Sequence, residues 1–157
     1  MTGFRRGVRL GIDVGRARIG VARCDPDGLL AVPVETVPRT DDSIDRLAVI
    51  ADEYAPLEFV VGLPVNLRGA DTASTTDARD FATALQTRTR IPVRLVDERL
   101  STVTAHAALR SSGRTQKNSR SIVDQIAAVV LLQQAIDTEK STGNPPGATV
   151  PLDEESP

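Results

Sequence analysis

Asp13, Glu98 and Asp124 are the residues of this chain whose type and setting point most directly to chemistry. Each sits at the end or edge of a different predicted element. Three carboxylates meeting at one edge without a cation would repel one another and hold on to their protons. A divalent ion removes that problem. Oxygen-only ligands suit Mg2+ or Mn2+, which keep waters and accept substrate phosphate oxygens as further ligands. Two such ions about 4 Å apart can activate a water on one side of a phosphodiester and stabilise the leaving oxygen on the other. This chemistry needs no histidine and no cysteine nucleophile, and the single histidine, His106, lies mid-helix among alanines. Each acid also has an ordinary structural reading. Asp13 could simply end a strand beside a turn glycine. Glu98 could pair with Arg99 or cap a helix beginning near Ser101. Asp124 could be the third helical position of a capping box opened by Ser121.

The elements that must position these acids are legible in the hydrophobic pattern. Val8, Leu10, Ile12 and Val14 alternate with Arg9, Gly11 and Asp13, which is a strand's period of two. Gly11 and Gly15 strip bulk from either side of Asp13, which would let a phosphate approach the backbone. Residues 19–22 read as a hairpin partner and residues 26–28 as a turn. Residues 29–37 read as a third strand, with Pro33 tolerated on an edge or at a bulge. A helix capped by Asp41 or Asp42 then carries Ile44, Leu47, Ala48, Ala51 and Tyr54. Residues 59–63 form a short apolar run, as in a strand buried on both faces. A loop over 64–72 follows. Ala78, Phe81, Ala82 and Leu85 mark a second helix. Residues 91–96 read as a fifth strand leading to Glu98, and a third helix starts near Ser101. A fourth helix is expected over 121–137, with Asp124 at the edge of a stripe made by Ile122, Val123, Ile126, Ala127 and Val130. The pattern predicts an α/β fold: a mixed five-stranded sheet, three antiparallel strands then parallel strands, flanked by helices. Active groups in such sheets gather beyond the carboxyl ends of the parallel strands. If the first and fifth strands are neighbours, Asp13 and Glu98 meet at one rim. From residue 138 the chain is rich in Pro and Gly and ends acidic, so residues 138–157 are expected to be a disordered tail.

The chain has 157 residues, 40% hydrophobic and 25% charged, as in an ordinary one-domain globular protein. A net charge of −2 excludes a whole-protein basic field, so any polyanion site must be a local cluster. Candidates are Arg110, Arg114, Lys117 and Arg120, a run without acids just before the Asp124 helix. Arg16 and Arg18 flank Asp13, and the 64–72 loop offers Asn66 and Arg68. Aromatic residues are only 3% and tryptophan is absent, so recognition by charge and shape is expected over stacking on an aromatic platform. The lone cysteine, Cys24, excludes an internal disulfide and fits a reducing cytoplasm. It reads as a small strand residue, with a disulfide between two chains as the alternative. The longest apolar run is seven residues, too short to span a membrane, and no hydrophobic signal region follows Arg5-Arg6.

Four stretches together resemble a known family. They are Gly11-Ile-Asp13-Val-Gly15 continuing through Arg18-Ile-Gly-Val-Ala22; Val61-Gly-Leu-Pro64 with Asn66 and Gly69; Val96-Asp97-Glu98-Arg99-Leu-Ser-Thr102; and the segment from Lys117 through Asp124 to Ala127-Ala128. In this order and spacing they are similar to the bacterial YqgF family, also called the RuvX or Holliday junction resolvase-type family, over residues 7 to 137. The resemblance implies a ribonuclease H-like nuclease domain over 1–137 and a metal-dependent mechanism. It also implies catalytic roles for Asp13, Glu98 and Asp124. Family members are linked to two substrates: the 5′ end of pre-16S rRNA, and four-way DNA junctions. Arg16-Ala17-Arg18 stands where many members place a lysine near the arginine, which keeps the positive charge.

Two other readings compete. A catalytically silent nucleic-acid-binding module would be marked by loss of an acid, and all three positions are filled. An actin- or sugar-kinase-type ATP-binding domain shares the Asp-x-Gly turn, but needs two such domains around the nucleotide. A symmetric homodimer would present two sites to a four-way junction and is unnecessary for rRNA.

Overall fold

The computed structural model describes residues 3–65, 68–97 and 116–151. The chain begins with the predicted meander: β1 (Arg9–Val14), β2 (Arg18–Cys24) and β3 (Ala31–Pro38). There follow α1 (Ser43–Tyr54), β4 (Glu58–Leu63), α2 (Ala73–Thr89), β5 (Val93–Asp97), α3 (Gln116–Thr142) and β6 (Ala148–Thr149). The strands form one sheet in the order β3-β2-β1-β4-β5-β6. β1, β4 and β5 run parallel, while β2 and β6 are antiparallel to their neighbours. Pro33 sits on the edge strand beside a bulge of β3 at Val34, opposite Val21 and Ala22, so the edge and the bulge both accommodate it.

The period of two in β1 divides the molecule into layers. Leu10 and Ile12, with Ile19, Val21, Phe59 and Val61, face α1 and α2 and share a core with Leu47, Ile50, Phe81 and Leu85. On the opposite face Ala22, Cys24 and Val60 pack on Ala128, Leu131, Leu132, Ala135 and Ile136 of α3. Cys24 is fully buried, so the interchain disulfide alternative finds no exposed thiol. The first turn of α1 is held by Ser43 in place of the expected aspartate cap. The Ser43 hydroxyl accepts from the Thr40 N–H at 2.7 Å and donates to the Pro38 carbonyl, while Asp42 makes no side-chain cap bond. α2 opens on a reciprocal box in which Thr72 and Thr75 accept from each other's N–H.

Two expectations about the C-terminal part are corrected. α3 begins at Gln116, five residues before Ser121, so Asp124 lies within the helix and is not the third position of a capping box. The chain is also ordered well beyond residue 137. α3 continues to Thr142, and β6 pairs with β5 through Leu95 and Ala148. Val150 is buried in the α1–α2 core and its N–H donates to the Val93 carbonyl at 2.8 Å. Gln86 ties the two segments together, accepting from Val93 N and donating to Val150 O. The Pro/Gly composition hid this because β6 is two residues long and its pairing covers the otherwise open edge of β5. The sheet therefore has six strands where five were expected.

Candidate active site

The carboxyl ends of β1, β4 and β5 share one rim because the three strands are parallel. β4 lies between β1 and β5, so the condition that these two be neighbours is not met, and one strand separates them along the shared rim. Asp97 ends β5 at that rim, and Glu98 lies outside the described residues.

Asp13 and Asp124 are brought together by two glycines. Asp13 faces Gly20 across the β1–β2 hairpin. A Cβ on Gly20 would stand 1.9 Å from the backbone oxygen of Asp124, and one on Gly11 would stand 2.9 Å from the oxygen of Ala128. The helix thus lies directly on the hairpin, and the bare backbone at positions 11 and 20 sets how closely. The glycine beside Asp13 that was read as making room for a phosphate is filled by helix α3. Gly15 serves the turn, since a Cβ there would meet the Arg18 oxygen at 2.6 Å. A methyl at position 20 must push α3 off the sheet. Gly20→Ala is expected to be destabilised by about 1–3 kcal/mol, as an overpacked site. It should also lose activity beyond the folded fraction, because Asp124 is displaced; a denaturant melt with an activity assay on the same sample checks both.

Asp13 and Asp124 line one cleft of about 290 Å3 with Gly15, Arg16, Pro64, Ser74 and Asp77. Asp124 Oδ2 accepts from Arg18 Nε at 2.8 Å. Arg18, expected to contact substrate, is therefore the counter-ion of a candidate catalytic acid. Arg16 is exposed at the cleft mouth, where the sequence reading placed a phosphate contact. Arg68 is exposed in the loop after β4. Lys117 and Arg120 fall on the first turns of α3. Asn66, Arg110, Arg114 and His106 lie outside the described residues, as does the helix expected near Ser101.

Sequence reasoning missed Asp77 and Arg39. Arg39 Nη2 donates to Asp77 Oδ1 at 2.8 Å and Nη1 to Asp77 Oδ2 at 3.0 Å, while Nη1 also reaches the Gly15 carbonyl at 2.9 Å. Hydrogen bonding from Arg39 holds the Asp77 carboxyl below the usual range, outweighing burial. One signal was available. β3 runs in the same direction as β1 across the meander, so the basic residue just past its end falls at the same rim.

Among the described residues no group of three acids or other metal-binding side chains stands close enough to hold an ion. Asp13 and Asp124 alone fit the oxygen chemistry of Mg2+, which takes one or two carboxylates and fills its other positions with water and phosphate oxygens. The Arg18 guanidinium must then compete with such an ion for Asp124. Because Arg18 is about one-third exposed, solvent screens the pair, which contributes about 0.2–1 kcal/mol. Arg18→Gln is therefore expected to bind Mn2+ about two- to fivefold more tightly, as isothermal titration would show.

A mixed sheet with this strand order and α3 packed across it has a ribonuclease H-like fold. The structure of Thermus thermophilus RuvC in complex with a Holliday junction substrate has this fold, with a TM-score of 0.54 at 17% identity, covering 88% of this chain and 99% of that one. The sequence profile of the RuvX family, described as Holliday junction resolvase, matches residues 7–138. The chain belongs to that family. A relative from Clavibacter michiganensis subsp. michiganensis is 55% identical over 151 residues, 94% of each chain, and bears the name "Putative pre-16S rRNA nuclease". Relatives of the same name from Leifsonia xyli subsp. xyli and Streptomyces avermitilis are 56% and 51% identical, covering 94% of this chain and 96% and 97% of theirs.

Proposed function

We propose that this chain is a metal-dependent nuclease that hydrolyses phosphodiester bonds of structured nucleic acid, with the 5′ end of pre-16S rRNA as its substrate. The observation that carries this reading is the shared cleft of Asp13 and Asp124 at the carboxyl rim of a ribonuclease H-like sheet. The names of its relatives at 51% to 56% identity favour the rRNA precursor over the DNA junction. Asp13, Asp124 and Glu98 would hold Mg2+ or Mn2+, which when bound would supply positive charge for the scissile phosphate and an activated water. Arg16 holds the adjoining phosphate at the cleft mouth. Arg18 neutralises the Asp124 carboxylate. Arg68, Asn66, Arg110, Arg114, Lys117 and Arg120 provide the outer contacts to the backbone, so binding falls steeply with salt. No helix of the described residues is long and apolar enough to cross a membrane. We place the protein in the cytoplasm, where precursor rRNA is found. A homodimer belongs to the junction reading alone.

The test compares purified protein on precursor 16S RNA and on a four-way DNA junction, each with Mg2+ or Mn2+. Shortening of the RNA 5′ end is the expected result. Cleavage of the junction alone would replace the substrate, and cleavage of neither would overturn the reading.

A further inference from the structure

Beside the acid cleft lies a second cavity of about 500 Å3, lined by Arg16, Arg39, Thr40, Asp41, Ala73 and Asp77. Arg16 and Asp77 line both spaces, so the two adjoin. Their linings differ in character. The cleft gathers acids, while the cavity balances two guanidinium groups against two carboxylates and adds a hydroxyl. A bare anion gains little from such a balanced lining. A flat group with both donors and acceptors on its edge gains more.

Arg39 is the built part of this cavity. Its guanidinium is fixed by Asp77 and by the Gly15 carbonyl, and its backbone N–H donates to the Ala17 carbonyl at 2.9 Å. It lies over the ring of Phe81, 4.8 Å from the centroid. Held this way, it loses little further freedom on meeting a ligand. Guanidinium planes, like aromatic rings, are platforms on which unstacked bases rest. In a chain with three Phe, one Tyr and no Trp, the Phe81–Arg39 pair supplies a platform that aromatic content alone did not foretell. The Thr40 hydroxyl oxygen accepts from Asp42 N–H at 3.0 Å and keeps its own O–H to donate. Asp41 adds an acceptor.

We propose that this cavity receives the base of the nucleotide next to the phosphate held at Asp13 and Asp124, stacked on the Arg39 guanidinium. The inference rests on the nuclease reading. It adds that the substrate is engaged where one nucleotide beside the cut is unpaired and turned out of its stack.

The experiment uses a fluorescently labelled RNA strand carrying the cleavage site, with a single abasic position moved along it, and a DNA counterpart. Binding to the wild-type chain in Ca2+ in place of Mg2+, which takes the same oxygen ligands, is followed by anisotropy. One abasic position adjoining the scissile phosphate is expected to weaken binding about tenfold or more. The same position should cost nothing further in Arg39→Lys, which keeps the charge and loses the plane. A second readout needs no Arg39 variant. 2-Aminopurine at that position should be quenched on binding, and at positions farther along it should not. Tight binding with no sensitive position, or equal sensitivity in the lysine variant, overturns the base site and leaves the nuclease reading standing. No binding of either strand overturns both.

Discussion

Asp124→Asn is expected to lower cleavage by at least about 10²–10³-fold, the cost of removing one preorganised charge from a catalytic site, while the fold survives. Among the described residues the carboxylate pairs with Arg18, at 2.8 Å and about one-third exposed. A screened pair of that kind contributes at most about 1 kcal/mol, or roughly 2–4 °C in melting temperature for a chain of this length. The helix that carries Asp124 is held by its backbone on Gly20 and by Leu131, Leu132 and Ile136 beneath it. None of these depends on the carboxylate. Asp13→Asn should behave the same way. Single-turnover cleavage beside a thermal melt separates the two effects, and full activity in a folded Asp124→Asn protein would remove this residue from the mechanism.

Glu139→Ala carries the largest expected cost in stability. Glu139 is 2% exposed and accepts from Arg5 Nε at 2.8 Å, Arg5 Nη2 at 2.8 Å and Arg9 Nη2 at 3.1 Å. Arg9 is itself 1% exposed. Arg5 and Arg94 also reach Glu58, which is 3% exposed, so two buried acids and three arginines form one network at the pole opposite the cleft. Removing one acid leaves buried positive charge uncompensated, which costs about 3–5 kcal/mol. Ending the chain at residue 137 removes Glu139, β6 and Val150 together and should prevent folding. Burial pushes the Glu139 carboxyl up, but hydrogen bonds from Arg5 outweigh it and hold it down at about 2, against 4.5 in the unfolded chain. A lowered folded-state value means stability that is complete above pH 4.5 and drains away as the pH falls toward 2. Glu139→Gln should lose that part of the acid slope. Denaturant melts of both proteins across the window measure it, and identical slopes would contradict the assignment.

How much of this was legible in the sequence depends on how local each signal is. The β1–β2 hairpin, the buried β4 and the Ala78–Phe81–Leu85 stripe of α2 follow from periods of two and 3.6 within single segments. Glu139 could not be read that way. Its partners lie 130 and 134 positions away, and a glutamate in a polar helix end looks solvated. β6 was hidden for the same reason, since its order comes from the open edge of β5 and from Gln86. At the site, Asp13 and Asp124 were legible as acids at the ends or edges of elements, but Gly11 and Gly20 are explained only by the helix that rests on them. Arg39 and Asp77 carry no motif of their own and become partners through the meander and α2.

Binding of Mn2+ by the chain alone, read from the loss of the free-ion paramagnetic resonance signal, tests the central claim without any substrate. The wild-type protein should bind the ion with saturation, and Asp13→Asn and Asp124→Asn should each lose that binding while remaining folded. Equal Mn2+ uptake by all three proteins would contradict the claim that these two carboxylates share a metal.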